Sequence, residues 1–195
     1  MVGIICEFIL WLKGWTYESV VPKDVTKYVV AGGPHTSNWD FLTAMAVMRK
    51  SGIPPKFLIK KSWMGFPLGP FFRAVGGVSV DREAIKAGTI SSSTDELGRV
   101  FSEMDRVALW ISPEGTRSPV TKWKTGFYWI AKKNNLPIVL AYADHVDKKI
   151  GLGKMMYPGD DPEKDFMEIM DFFRGVRGKN AHQFKLDARY DKESH

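Results

Sequence analysis

Short apolar runs alternate with segments of helical periodicity along this chain, the pattern of an α/β domain. Tyr28 to Ala31 reads as a buried strand stopped by Gly32-Gly33-Pro34. Phe41 to Arg49 follows as a helix, with Phe41, Leu42, Met45 and Met48 at helical spacing. Strands are predicted at Lys56 to Ile59, Val78 to Val80, Val107 to Ile111 and Ile138 to Ala143. Helices are predicted at Ser91 to Met104 and Gly126 to Asn134. Trp63 to Val75 is broken by Gly65, Pro67, Gly69 and Pro70, so it reads as a short helix or an aromatic loop. A turn-rich hairpin is predicted from His145 to Met156. The last helix starts at an Asp161 N-cap with Pro162 in its first position, and Phe166, Met167, Met170 and Phe173 are its expected buried stripe. There is no internal repeat or linker. The organisation is an amphipathic helix over 1–16, an α/β domain over 17–176 and a basic tail over 177–195, free to fray.

The first segment is ambiguous. On a helix, Ile4, Ile5, Phe8, Ile9, Trp11, Leu12 and Trp15 share one broad apolar face, with Cys6, Glu7, Lys13 and Gly14 on the other. The run is too short for a bilayer crossing, which needs about 20 apolar residues. It also lacks the basic start and small-residue cleavage site of a signal peptide. Two readings remain open: a helix docked on the core, or one lying in a membrane surface with its tryptophans at the headgroups.

Composition narrows the chemistry. The chain has 195 residues, 44% hydrophobic and 26% charged, so it is globular. The net charge of +6 favours phosphates, nucleic acid or anionic lipid. No nucleic-acid recognition motif accompanies it. One cysteine excludes an internal disulfide, and the four histidines lack metal-ligand spacing, so no metal site is expected.

Two loops carry reactive groups. In Pro34-His35-Thr36-Ser37-Asn38-Trp39-Asp40, Gly33-Pro34 keeps His35 outside the following helix while Asp40 falls in its first turn. The carboxylate can then reach the imidazole, fix its tautomer and leave a general base. Ser37 to Asp40 also has the spacing of a capping box, so Asp40 has a purely local alternative. The second loop, Pro113-Glu114-Gly115-Thr116-Arg117-Ser118, follows a strand, where α/β folds keep their sites. Arg117 offers a planar fork for a phosphate, and Glu114 could hold an arginine or accept from a substrate hydroxyl. A surface turn with an ion pair is the plain alternative. Asp81-Arg82 and Lys60-Lys61 add cations at strand ends, with a salt bridge and a solvated turn as their ordinary fates.

Read in order, these segments resemble the glycerolipid acyltransferases of the 1-acylglycerol-3-phosphate type. His35-x4-Asp40, Gly77-Val78-Ser79-Val80-Asp81-Arg82, Pro113-Glu114-Gly115-Thr116-Arg117-Ser118 and Leu136-Pro137-Ile138-Val139 stand in the family's sequence. The resemblance implies an α/β fold of one domain, with a mixed, mostly parallel sheet flanked by helices and an amphipathic membrane-associated helix at the N-terminus. It implies transfer of a fatty acyl group from acyl-CoA or acyl-carrier protein to a lysophospholipid hydroxyl, yielding phosphatidic acid, without a cofactor. His35 would be the general base and Asp40 its orienter. Lys61, Arg82, Glu114, Gly115, Thr116 and Arg117 would bind substrate, and Pro137 would belong to the acyl-side wall. The implied partners are a membrane lipid acceptor, the acyl donor and a membrane surface, with the protein peripheral or monotopic on the cytoplasmic face. Ser79, Ser112 and Leu140 depart from residues common in the family and could reshape the pockets. Another acceptor, such as a lyso-aminolipid, or a non-catalytic lipid-binding role are the alternatives.

Overall fold

The computed structural model describes residues 2–60, 64–65, 67–80 and 101–191. The predicted helix from Ser91 and the motif positions Lys61 and Arg82 lie outside them, apart from that helix's last residues. The described residues form a seven-stranded sheet of β1 (Thr16–Ser19), β2 (Lys27–Gly33), β3 (Pro55–Lys60), β4 (Gly77–Val80), β5 (Val107–Ile111), β6 (Ile138–Asp144) and β7 (Lys149–Met156). Their order is β1-β7-β6-β2-β5-β3-β4. The β6–β7 pair is antiparallel and every other pair is parallel. The expected mixed, mostly parallel sheet is thus observed.

The centre is apolar on both faces. Tyr28, Val29, Val30 and Ala31 are at most 1% exposed, so β2 reads as a continuous run rather than an alternating one. One face is covered by α1 (Val2–Leu12) and α2 (Trp39–Ser51), packed over Tyr28, Val30, Ala108, Trp110 and Ala141. The other is covered by α4 (Gly126–Lys133) and α5 (Pro162–Arg174), over Val29, Val107, Leu109 and Leu140. A short helix, α3 (Leu68–Ala74), leads into β4.

Most predicted elements form within a residue or two of their expected ends. Strand β2 runs past its expected glycine stop. It continues through Gly32 and Gly33, because Gly33 is in register with Tyr142 of β6. Asp161 caps α5 as expected, its Oδ1 accepting from the Glu163 and Lys164 amides. The buried stripe of α5 is Phe166, Ile169, Met170 and Phe173, and Met167 is only half-buried. The described part of the tail, residues 177–191, does not hang free. Phe184, Leu186 and Tyr190 pack on the core, and the buried Asp187 pairs with Arg189 at 2.6 Å while taking the Trp123 amide.

Helix α1 docks by a stripe the apolar count did not select. Cys6 and Leu10 are buried against the core, and Glu7 pairs with Arg49 at 2.9 Å and Lys50 at 2.7 Å on α2. Ile4, Ile5, Phe8, Trp11 and Leu12 are 52–68% exposed. The helix therefore does meet the core, but with its narrower side. No helix among the described residues is long and apolar enough to cross a membrane.

Phe173 is fully buried against the rings of Trp123, Phe172 and Phe184. Phe173→Ala should therefore cost about 3–5 kcal/mol in urea unfolding. Ile5→Ser, on the outward face of α1, should change stability by less than about 0.5 kcal/mol.

Candidate active site

The site follows from the parallel pairing of β2 with its neighbours. Ala31 is in register with Ile111, so the chain leaving β2 and the chain leaving β5 emerge side by side. Both loops lie at the carboxyl edge of the sheet, where helix N-termini and open loops converge. A cis Gly33-Pro34 peptide leads into His35.

His35 Nδ1 lies 3.2 Å from Asp40 Oδ2. That oxygen also accepts the Thr36 and Ser37 amides at 2.7 Å each, and Ser37 Oγ donates to Asp40 Oδ1 at 3.0 Å. Ser37 Oγ in turn accepts the Trp39 amide at 3.2 Å. Asp40 thus binds the backbone leading into α2 and the His35 ring at once, so its local hydrogen bonds and its contact with the histidine coexist. Burial pushes the Asp40 carboxyl up, but hydrogen bonds from His35 and Ser37 outweigh it and hold the group below its ordinary range. The ionised carboxylate selects the Nδ1–H tautomer and leaves Nε2 with its lone pair available.

Glu114 sits beneath this loop, 3% exposed, and its Oε1 accepts the His35 backbone amide at 2.6 Å. Burial pushes its carboxyl up to about 7, opposed by that amide and the imidazole and reinforced by the charge of Asp40. Gly115 has a φ of +66° and closes a turn through its amide to the Ser112 carbonyl at 3.1 Å. A Cβ there would run into the Lys124 side chain. Thr116 Oγ1 accepts the Ser118 amide at 3.2 Å. Arg117 is exposed, and its guanidinium donates to Asn38 Oδ1 at the entrance of α2.

Behind His35 a cavity of about 280 Å³ runs between α2 and the sheet. Its inner wall is Met45, Met48, Phe57, Trp110 and Ala141, while His35, Asn38, Asp40 and Arg117 stand at its polar end. Trp110 Nε1 and Ser112 Oγ are buried there without a hydrogen-bond partner among the described residues. They place two donors in an otherwise apolar wall. No group of three or more metal-ligating side chains occurs among the described residues. The arrangement is a histidine in contact with a carboxylate, between an apolar slot and a guanidinium.

The family model described as Acyltransferase matches residues 19–142. The chain belongs to this acyltransferase family. A 1-acyl-sn-glycerol-3-phosphate acyltransferase of Haemophilus influenzae is 28% identical over 168 residues, which are 82% of this chain and 65% of that protein. One of Escherichia coli is 28% identical over 153 residues, 74% of this chain and 59% of that protein. The chain therefore spans less than two thirds of the length of either relative. The crystal structure of the 1-acyl-sn-glycerophosphate (LPA) acyltransferase PlsC from Thermotoga maritima shares the fold. Its TM-score is 0.56 at 18% identity, over 90% of this chain and 77% of that one.

Of the residues singled out from sequence, the structure brings His35, Asp40, Glu114 and Arg117 to one place. Gly115 and Thr116 shape the turn between Glu114 and Arg117. Among the described residues Glu114 meets no arginine; it is buried, and its carboxylate takes the His35 backbone amide. Pro137 does not line the cavity. It precedes β6 at the far edge of the sheet, its carbonyl taking the Val29 amide. Sequence reasoning passed over Asn38, although it lies inside the motif, and read Trp110 as ordinary strand core.

The raised Glu114 carboxyl makes stability depend on pH. Its ordinary pKa is 4.5 and its folded value about 7. Between these the folded chain binds more protons than the unfolded one, so stability falls as pH rises. The contribution is fully present below pH 4.5 and gone once pH passes 7. Glu114→Gln has no such proton. From pH 4.5 to above 7, the wild type should lose about 3 kcal/mol relative to this variant in urea unfolding. A difference that stays flat with pH would mean that the carboxyl titrates normally.

Proposed function

We propose that this protein transfers a fatty acyl group from a thioester, acyl-CoA or acyl-carrier protein, to the hydroxyl of 1-acylglycerol-3-phosphate, giving phosphatidic acid. The observation that carries this reading is the position of the His35–Asp40 pair, between an apolar cavity and the Arg117 guanidinium. A long acyl chain needs the first and an acceptor phosphate the second. The relatives' names point to the same acceptor.

In this mechanism His35 Nε2 takes the proton of the acceptor hydroxyl as its oxygen attacks the thioester carbonyl. Asp40 stabilises the imidazolium that forms. The tetrahedral intermediate collapses, the C–S bond breaks and the thiolate leaves with the proton from His35. The enzyme itself forms no covalent bond and needs no cofactor. Arg117, with Arg82, binds the acceptor phosphate, and Lys61, Gly115 and Thr116 complete its site. Glu114 serves the same site from below, through the His35 amide.

This reading includes a peripheral or monotopic attachment on the cytoplasmic face of a membrane, and the outward face of α1 supports the attachment. Five large apolar side chains point away from the core there. Trp39, 44% exposed beside the site, has Lys13 Nζ at 5.5 Å and Lys179 Nζ at 4.4 Å over its ring. A basic and aromatic rim of this kind suits an anionic headgroup layer.

His35→Ala should lower turnover of palmitoyl-CoA with 1-acylglycerol-3-phosphate by at least about 10²-fold, read as thiol release and product mass. Turnover near wild type would remove His35 as the base. Activity with another lysolipid only, combined with a mild Arg117→Ala, would keep the chemistry and replace the acceptor. Phe8→Ser with Trp11→Ser should weaken sedimentation with anionic liposomes while leaving the unfolding midpoint in place. Undiminished sedimentation would remove α1 as the anchor.

A further inference from the structure

The segment after α5 returns to the catalytic loop. Arg177 fastens it to the end of β6: its amide and Nε donate to Asp144 Oδ2 at 3.2 and 3.0 Å, and its carbonyl takes the His145 amide at 2.9 Å. Gly178 then lies so close to the loop that a Cβ would stand 3.0 Å from Pro34 Cβ and 3.1 Å from Thr36 Oγ1. Two residues on, Asn180 Nδ2 donates to the Thr36 carbonyl at 2.9 Å, and the Asn180 amide to Thr36 Oγ1 at 3.3 Å. Thr36 is 2% exposed.

The Thr36 carbonyl shares a peptide plane with the Ser37 amide. In a planar peptide, holding the oxygen fixes the direction of the N–H on the other side. That N–H is one of the two that donate to Asp40 Oδ2 at 2.7 Å, and Asp40 Oδ2 is the oxygen on His35 Nδ1. We propose that Asn180 is a positioning residue for the His35–Asp40 pair, acting through the Thr36–Ser37 peptide. The basic segment beyond α5 is then part of the catalytic apparatus.

This proposal rests on the acyl-transfer reading for its kinetic test but not for its spectroscopic one. Asn180→Ala removes the side-chain donor and leaves the backbone contact and the Arg177 anchor in place. Asn180→Asp keeps the shape and sets an acceptor against the Thr36 carbonyl. Asn180→Ala should lower kcat by about tenfold to a hundredfold, the range for a misplaced catalytic group. KM for the lysolipid should stay within about twofold, and Asn180→Asp should be at least as impaired. In an Asp40→Asn background, where the pair is already broken, Asn180→Ala should cost nothing further. Separately, the downfield proton resonance of His35 Nδ1–H in the wild type should move upfield in Asn180→Ala. An equal loss of kcat in both backgrounds, or an unmoved resonance, would reduce Asn180 to a structural role and overturn the proposal. A wild type inactive with every acyl donor would overturn the acyl-transfer reading, and the resonance would still decide the role of Asn180.

Discussion

The contact between the buried Glu114 carboxyl and the His35 backbone amide, 2.6 Å long, holds the two halves of the site together. Its partners are 79 residues apart in the chain, and the parallel pairing of β2 with β5 is what makes them neighbours. A carboxyl in that position has lost most of its water, so its ionisation is disfavoured unless the His35 amide and imidazole compensate. Asp40, a short way off, resolves the same problem differently. It gathers two amides, a hydroxyl and an imidazole, and stays charged. Two carboxyls on one histidine thus play unlike parts: one fixes the backbone, the other the ring.

The rest of the molecule supplies rigidity to that pair. Strands β2, β5 and β6 are buried on both faces, so the edge from which the loops emerge cannot shift without opening the core. Gly33 lies where an added Cβ would be 3.3 Å from Phe173 and 3.6 Å from Glu114, which ties the loop to the α5 side of the core. On the other face, α2 serves as wall of the cavity and as carrier of Asp40. One wall of the apolar slot and the carboxylate that holds His35 are therefore built on one helix.

Helix α1 illustrates how amphipathicity can mislead about direction. The broadest apolar face is the natural guess for burial, yet Cys6 and Leu10 make the contact and Glu7 locks it through Arg49 and Lys50. Docking was decided by which side chains fit between α1 and α2, and by two cations on α2 that needed a partner. The surplus apolar face is left exposed, which is the physical argument behind the membrane attachment proposed above.

Much of the fold was legible in the residues. Continuous apolar runs bounded by glycine and proline marked the parallel strands, and Asp161-Pro162 marked the start of α5, because these signals act within a few residues. The His35–Asp40 pair was legible too, since both ends of the contact lie in one turn. Other features were not. Gly32-Gly33 reads as a strand stop, but pairing with β6 carries β2 through it. Glu114 reads as a partner for an arginine or a substrate hydroxyl, but the fold buries it under His35, where it takes a backbone amide. Asn180 carries no local signal at all, because its partner, Thr36, is 144 residues away. The sequence by itself determined most of the strands and helices and which loops hold the candidate side chains, since periodicity, capping and residue type are local properties. Only the tertiary structure decided which carboxyl orients, which one braces and which face of α1 stays outside, because those depend on contacts between segments far apart in the chain.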